Sequence, residues 1–300
     1  MHWKTAISIA TLGAGIYISF LKLSQGNYDP SSIIPFVMSI SFLYFYVKNG
    51  KWDLFNLANK WSVISGLCFG CALYYMNNAL SLIQNPGIPS AVLRTNIVIT
   101  YVASLFLFRE SFSFSKVGFI LLTLVGGFVA ILPKLIGNMN NDNITWLYPT
   151  LIAGCFASLS DITTKFGVSE VSNLDFSTIQ VLVAGLLNYM FQYADTRNIG
   201  LQVLDADVAK DKSSIDLLNT YPWISLVICI MGFTFFREYL GEAIQQSSNP
   251  VYPRAIFNSQ FILTLVLSYF LQTDGTFTMY EGLGAVIIAM GVVGFSLFSK

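Results

Sequence analysis

Charge is what this chain has least of. Asp, Glu, Lys and Arg make up only 11% of its 300 residues, while 54% are hydrophobic. Soluble domains carry about 25% charged residues, so this composition cannot build a surface that faces water. The 16 basic and 16 acidic residues cancel to a formal net charge of zero, which removes the electrostatic case for nucleic acid. There is one histidine, His2, near the start of the chain, so no histidine general base lies inside an apolar run. Cysteine is also sparse: Cys68, Cys71, Cys155 and Cys229 all sit within apolar stretches. The CxxC spacing of Cys68 and Cys71, beside Gly66, Phe69 and Gly70, reads as small residues at a helix contact, not as metal or redox chemistry. The chain lacks HExxH, GxSxG, P-loop and GxGxxG motifs. It is therefore expected not to be an enzyme and to need no cofactor or metal.

What the chain has in abundance is apolar runs of membrane-spanning length. A hydrocarbon core of about 30 Å needs about 20 helical residues. Ten spans are expected on that scale: Trp3–Leu21, Ser32–Val47, Trp61–Ala79, Ile88–Phe108, Val117–Leu135, Trp146–Thr164, Ser177–Tyr193, Trp223–Leu240, Val251–Leu271 and Tyr280–Phe298. The first begins Met-His-Trp-Lys like a signal peptide, but no small-x-small cleavage site precedes Lys22, and it is read as a helix. With the N-terminus inside, nine basic residues (Lys4, Lys48, Lys51, Lys60, Arg109, Lys116, Lys165, Arg237 and Lys300) face the cytoplasm. Five (Lys22, Lys134, Arg197, Lys210 and Lys212) face the other side. Both termini are expected to be cytoplasmic, with the kind of membrane left open. The sequon Asn143-Ile144-Thr145 then falls on the outer side. The one long connection, Ala194–Tyr221, reads as a solvated outer loop with room for a short amphipathic helix near Ile199–Val208.

The chain also repeats itself. Shifting Asn85–Glu110 by 164 residues (249 minus 85) lays it on Asn249–Asp274. Asn85, Pro86, Pro89, Ala91, Thr100, Val102, Ser104, Phe106 and Leu107 then match identical residues without a gap. Gly118, Gly127 and Val129 also match Gly282, Gly291 and Val293. The chain thus divides at the polar stretch Gly137–Thr145, into a first five-helix repeat (residues 1–136) and a second (residues 146–300). Five is odd, so the second copy enters the membrane from the opposite side. The expected fold is an all-α integral membrane protein: ten transmembrane helices as two inverted five-helix repeats. That plan is common among secondary transporters, with the solute site near the midplane between the halves.

Polar side chains inside spans are costly against lipid, and usually face a cavity or a partner. Arg94 lies six residues into the fourth span, about 9 Å down at about 1.5 Å per residue. Thr95 and Asn96 follow it. The matched position is Asn258, followed by Ser259 and Gln260, with Arg254 one turn earlier and on the same face of a regular helix. Guanidinium groups bind carboxylate and phosphate bidentately, so two of them suit an anionic or strongly polar solute. The bland alternative is that each holds the bundle together through an internal carboxylate or a helix end. Tyr75, Asn77 and Asn78, near the end of the third span, could line the outer cavity or cap the helix. Asp161 and Lys165 read as a local ion pair; Gln180, Glu238 and Glu242 are weaker candidates. Pro86, Pro89, Pro250 and Pro253 stiffen the entries to spans four and nine.

The ten spans resemble the drug/metabolite transporter superfamily, most closely its EamA-like and nucleotide-sugar or triose-phosphate branches. The resemblance rests on Phe108-Arg109-Glu110-Ser111-Phe112-Ser113 closing span four and on Gly118 and Gly127-Phe128-Val129 in span five. Tyr74-Tyr75-Met76-Asn77-Asn78-Ala79-Leu80 at the end of span three adds to it. It implies a ten-helix bundle with cytoplasmic termini and a central cavity lined by spans one, three, four, six, eight and nine. The chain departs from the pattern near span nine, where Pro253-Arg254-Ala255 and Asn258 stand without the lysine of the nucleotide-sugar branch. It departs again at Thr273-Asp274-Gly275, where a glutamate is usual. The expected substrate-binding residues are Arg94, Asn96, Arg254, Asn258, Gln260, Tyr75, Asn77 and Asn78. The leading expectation is a multi-pass secondary transporter of a small polar or anionic organic metabolite. The alternatives are an exporter of amino acids or drugs, and a non-transporting membrane scaffold or chaperone with a sealed bundle. The expected partners are a small-molecule substrate and the lipid bilayer, with a homodimer left open.

Overall fold

The computed structural model describes residues 2–51, 59–83, 86–94, 96–138, 145–196, 216–271 and 279–298. Every regular element among them is a helix. Three come first: α1 (Trp3–Gln25), α2 (Pro30–Asn49) and α3 (Lys60–Ser81). The next membrane-length stretch is in two pieces, α4 (Gly87–Leu93) and α5 (Asn96–Leu107). There follow α6 (Phe114–Asn138), α7 (Leu147–Gly167), α8 (Asn173–Thr196), a short α9 (Asp216–Thr220) and α10 (Pro222–Gln246). Another stretch in two pieces, α11 (Val251–Phe257) and α12 (Gln260–Leu271), leads to α13 (Met279–Phe298). The expected spans all fall on these helices. The exceptions to their expected form are Ile88–Phe108 and Val251–Leu271, which are not the continuous helices that their hydropathy suggested. The expectations for Asn85, Thr95, Asn143, 199–208 and 273–275 lie outside the described residues.

Among the described residues, eight stretches are long and apolar enough to cross a membrane, counting each two-piece stretch as one. Helix α7, with Asp161, Lys165 and several hydroxyl residues, is not among them, and the apolar part of α13 is the shorter Gly282–Phe295. The burial pattern reverses that of a soluble domain. Large apolar side chains such as Leu43, Val47, Phe128, Leu186 and Val293 are exposed, reaching 84% at Phe114 and 85% at Met279. Arginine, asparagine and hydroxyl side chains are buried. An apolar exterior of this extent needs a partner that is itself apolar, and lipid supplies it.

Local chemistry sets the helix limits. Asn59 and Ser62 form a capping box at the start of α3: Ser62 N donates to Asn59 Oδ1 at 2.7 Å, and Asn59 N donates to Ser62 Oγ at 3.2 Å. Asp29 caps α2 ahead of Pro30, and Gly50 ends it with φ of 65°. Helix α1 packs on α10, α6 on α13, α3 on α7 and α8, and α2 on α8. Two of these crossings are at backbone contact through paired glycines. A Cβ on Gly13 would stand 2.9 Å from Gly232 O, and one on Gly232 would stand 2.9 Å from Gly13 O. In the second pair, a Cβ on Gly126 would stand 2.8 Å from Gly284 O. Without a hydrophobic driving force between helices in lipid, such close approach is what gives them dispersion energy.

Gly232→Leu is expected to push α1 and α10 apart and to cost about 1–3 kcal/mol of stability, read as a lower melting temperature in detergent. Gly118→Ala, whose Cβ would meet nothing within 4 Å, should leave the melting temperature unchanged.

Candidate functional site

The two interruptions fall at the same place in the repeat. Adding 164 to Gly87, Leu93, Asn96 and Leu107 gives Val251, Phe257, Gln260 and Leu271, the limits of α11 and α12. Each interruption is a turn wound more tightly than an α-helix. Arg94 N donates to Ala91 O and Ile97 N donates to Arg94 O, both at 3.1 Å; Ser259 N donates to Ile256 O and Ile262 N to Ser259 O, both at 3.0 Å. These are bonds to the third residue back, the 3₁₀ pattern, in which residues three apart eclipse one another.

Arg254, Phe257 and Gln260, spaced by three, all line one cavity with about 620 Å³ of atom-free space, counting its mouth. Around them, α7 contributes Ser160 and Asp161, and α10 contributes Phe236, Arg237 and Leu240. Helix α1 adds Ala14, Tyr17 and Ile18, and α3 adds Phe69, Ala72, Leu73 and Met76. Arg94 (1% exposed), Arg237 (2%), Arg254 (5%) and Asp161 (6%) are all buried. The guanidinium groups of Arg94 and Arg254 stand 5.6 and 5.2 Å from the Phe257 ring centroid, and that of Arg237 stands 4.6 Å from Phe69. Cation–π attraction replaces part of the hydration these groups lost.

Their ionic partners are few. Arg254 Nε lies 2.9 Å from Asp161 Oδ2, yet the two are not aligned as a hydrogen bond; the attraction is a Coulombic one. Arg237 Nη2 donates to Gln180 Oε1. That bond aims the Gln180 amide nitrogen at Ser65 Oγ (2.6 Å) and Ser160 Oγ (3.2 Å). Arg94 Nε donates to Ser90 O at 2.8 Å, but among the described residues its Nη1 and Nη2 have no hydrogen-bond partner. The side chains of Asn96 and Asn258 and Nε2 of Gln260 are also buried without a partner among the described residues. Orphan polar atoms in a buried site call for an explanation, and these gather at the two interruptions.

Of the residues singled out from the sequence, Arg254 and Gln260 line the cavity. Arg94 adjoins it across Phe257, while Asn96 and Asn258 are buried at the interruptions and do not line it. The other three sit elsewhere. Asn77 is a clamp between helices: it accepts from Gln25 Nε2 at 2.7 Å and donates to Pro30 O at 2.8 Å. Tyr75 lies parallel to the Phe156 ring at 6.2 Å, and the Asn78 carbonyl accepts from Ser81 Oγ. Asp161 does not pair with Lys165, whose Nζ instead donates to the carbonyls of Ile244 and Ser247. Arg237 is not a loop charge but an interior one. Glu238 is bound to Lys48 and Tyr44 at the exposed end of α2.

A second polar cluster ties the end of α5 to the start of α11. Arg109 adopts a left-handed φ of 52° and turns the chain so that Glu110 faces Asn249. Glu110 Oε1 accepts from Lys116 Nζ and from the Tyr252 hydroxyl, both at 2.5 Å, and its Oε2 accepts from Asn249 Nδ2 at 2.8 Å. Asn249 Oδ1 in turn accepts from Ser104 Oγ at 2.9 Å and from Val251 N at 3.0 Å. Partial burial raises the affinity of the Glu110 carboxylate for protons, but the bonds from Lys116, Tyr252 and Asn249 outweigh it, and its pKa lies below the ordinary value.

Solved structures share this fold. One, described as "Crystal structure of protein", superposes with a TM-score of 0.60 over 99% of this chain and 96% of its own, at 14% identity. At that identity the likeness is one of fold alone. No family model matches the chain, and no curated protein matches it.

The Glu110 cluster makes a pH-dependent contribution. Its folded pKa is depressed, so its stabilisation is present above the unfolded value of about 4.3 and is lost as pH falls through the folded value. Thermal melts of the wild type between pH 7 and pH 3 should show that acid-dependent loss, and Glu110→Gln should flatten it. Asn249→Ala is expected to cost about 1–3 kcal/mol by removing the partner of Ser104 Oγ and of Glu110 Oε2.

Proposed function

We propose that the chain is a secondary transporter that moves a small anionic organic metabolite by alternating access. It is read as ten transmembrane helices in two inverted repeats, residues 1–136 and 146–300, as in the drug/metabolite transporter superfamily. The observation that carries this reading is the cationic cavity beside two helices interrupted at matched positions. A sealed scaffold has no use for buried guanidinium groups with nitrogens that lack hydrogen-bond partners among the described residues. A transporter does, because an arriving carboxylate or phosphate can satisfy them.

The inverted repeat is supported by which helices touch. Helix α1 meets α10, and α3 meets α7; α1 meets α12, and α5 meets α7; α4 meets α12, and α5 meets α11; α4 meets α6, and α11 meets α13. A two-fold axis that exchanges the halves maps the first pairing of each couple onto the second. The stretches α4–α5 and α11–α12 are then the matched broken helices expected near a midplane site. The Glu110 cluster closes one end of the passage between them, on the cytoplasmic side in a topology with both termini inside.

Purified chain in liposomes is the test, with uptake and counterflow of a labelled panel of sugar phosphates, nucleotide sugars, amino acids and organic acids. Saturable uptake of an anionic member is expected. Arg254→Ala should reduce it about ten-fold or more, the worth of a charge-assisted hydrogen bond. Wild-type liposomes that take up none of the panel, or Arg254→Ala uptake equal to wild type for every anion, would overturn the reading.

A further inference from the structure

The cavity lining is chemically divided. Its charged and amide groups, Asp161, Arg237, Arg254 and Gln260, come from α7, α10 and the interrupted α11–α12 stretch. What α1 and α3 bring is apolar, as at Ile18, Phe69, Leu73 and Met76, apart from the Tyr17 hydroxyl. Phe257 stands beside the charges, with the guanidinium groups of Arg254 and Arg94 near its ring. Two buried arginines and one buried aspartate line the cavity, and a third buried arginine, Arg94, stands behind Phe257, so the missing negative charge is something a ligand brings. The apolar wall sets the second condition. It has almost nothing to bond the hydroxyls of a sugar, and each hydroxyl stripped of water and left unpaired there costs about ten-fold in affinity.

We propose that the solute is an amphipathic organic anion. Its compact carboxylate or phosphate head meets Arg254 and Arg237, and its apolar or aromatic body lies against α1, α3 and Phe257. The proposal rests on the anion-transporter reading and narrows it, since it sets sugar phosphates and nucleotide sugars aside.

Three charge-defined probes test it on the full chain in detergent, by thermal shift and titration calorimetry: phenyl phosphate, glycerol 3-phosphate and benzylamine. Phenyl phosphate is expected to raise the melting temperature in a dose-dependent way, with a Kd about ten-fold or more below that of glycerol 3-phosphate. Met76→Gln should narrow that ratio by giving the wall a hydrogen-bonding group. Arg254→Lys keeps a cation beside Asp161 but loses the planar fork, and should weaken phenyl phosphate about five-fold or more. Glycerol 3-phosphate binding as tightly as phenyl phosphate overturns the amphipathic assignment and leaves the anion transporter standing. Benzylamine binding while neither phosphate binds overturns both. Binding of none of the three also overturns the assignment, and liposome uptake then decides the broader reading separately.

Discussion

Three guanidinium groups and one carboxylate buried in an apolar bundle are the constraint around which this molecule is arranged. Moving an ion from water into such a medium costs several kcal/mol even after relaxation, and one aspartate cannot offset three arginines. The surroundings supply the rest by other means. Phe257 and Phe69 turn ring faces to the cations, the Ser90 carbonyl takes one nitrogen of Arg94, and Gln180 takes one of Arg237. Gln180 is held in turn by hydroxyls from α3 and α7. The polar interior is thus spread over α3, α7, α8, α10 and α11.

The same economy of polar groups governs the helix ends. At Glu110 a single left-handed residue, Arg109, lets the chain leave α5 with its carboxylate facing α11. Lys116, Tyr252, Asn249 and Ser104 then satisfy one another around it. At other crossings the helices are held by shape. Gly13 against Gly232 and Gly126 against Gly284 bring backbones into contact, where many small dispersion terms add up.

Most of the fold was legible in hydropathy because span length and apolar content are one-dimensional properties. The interruptions were not, because hydropathy does not register helical phase. Spacing alone put Arg254 and Asn258 on one face, but the cavity is lined by Arg254, Phe257 and Gln260. The repeat did contain a signal, since Arg94-Thr95-Asn96 and Asn258-Ser259-Gln260 are matched polar triplets in the middle of apolar runs. Burial cost pointed to Arg94 and Arg254. It missed Arg237, which near the end of its span looks like a loop charge, and Asp161, whose neighbour one turn away offered a simpler partner. Lys165 prefers the carbonyls at the end of α10, a choice that no local spacing could reveal. Asn77 looked like a cavity residue, and its two-sided amide serves instead to tie α1, α2 and α3 together.

The charged centre is lopsided. Arg237, Arg254 and Asp161 all come from the chain after residue 146, and only Arg94 comes from before it. On the proposed inverted-repeat plan, exchanging the two halves would not return the same site. A transporter built that way would offer a solute a different sequence of contacts from each face of the membrane, and its forward and reverse half-cycles would be kinetically inequivalent.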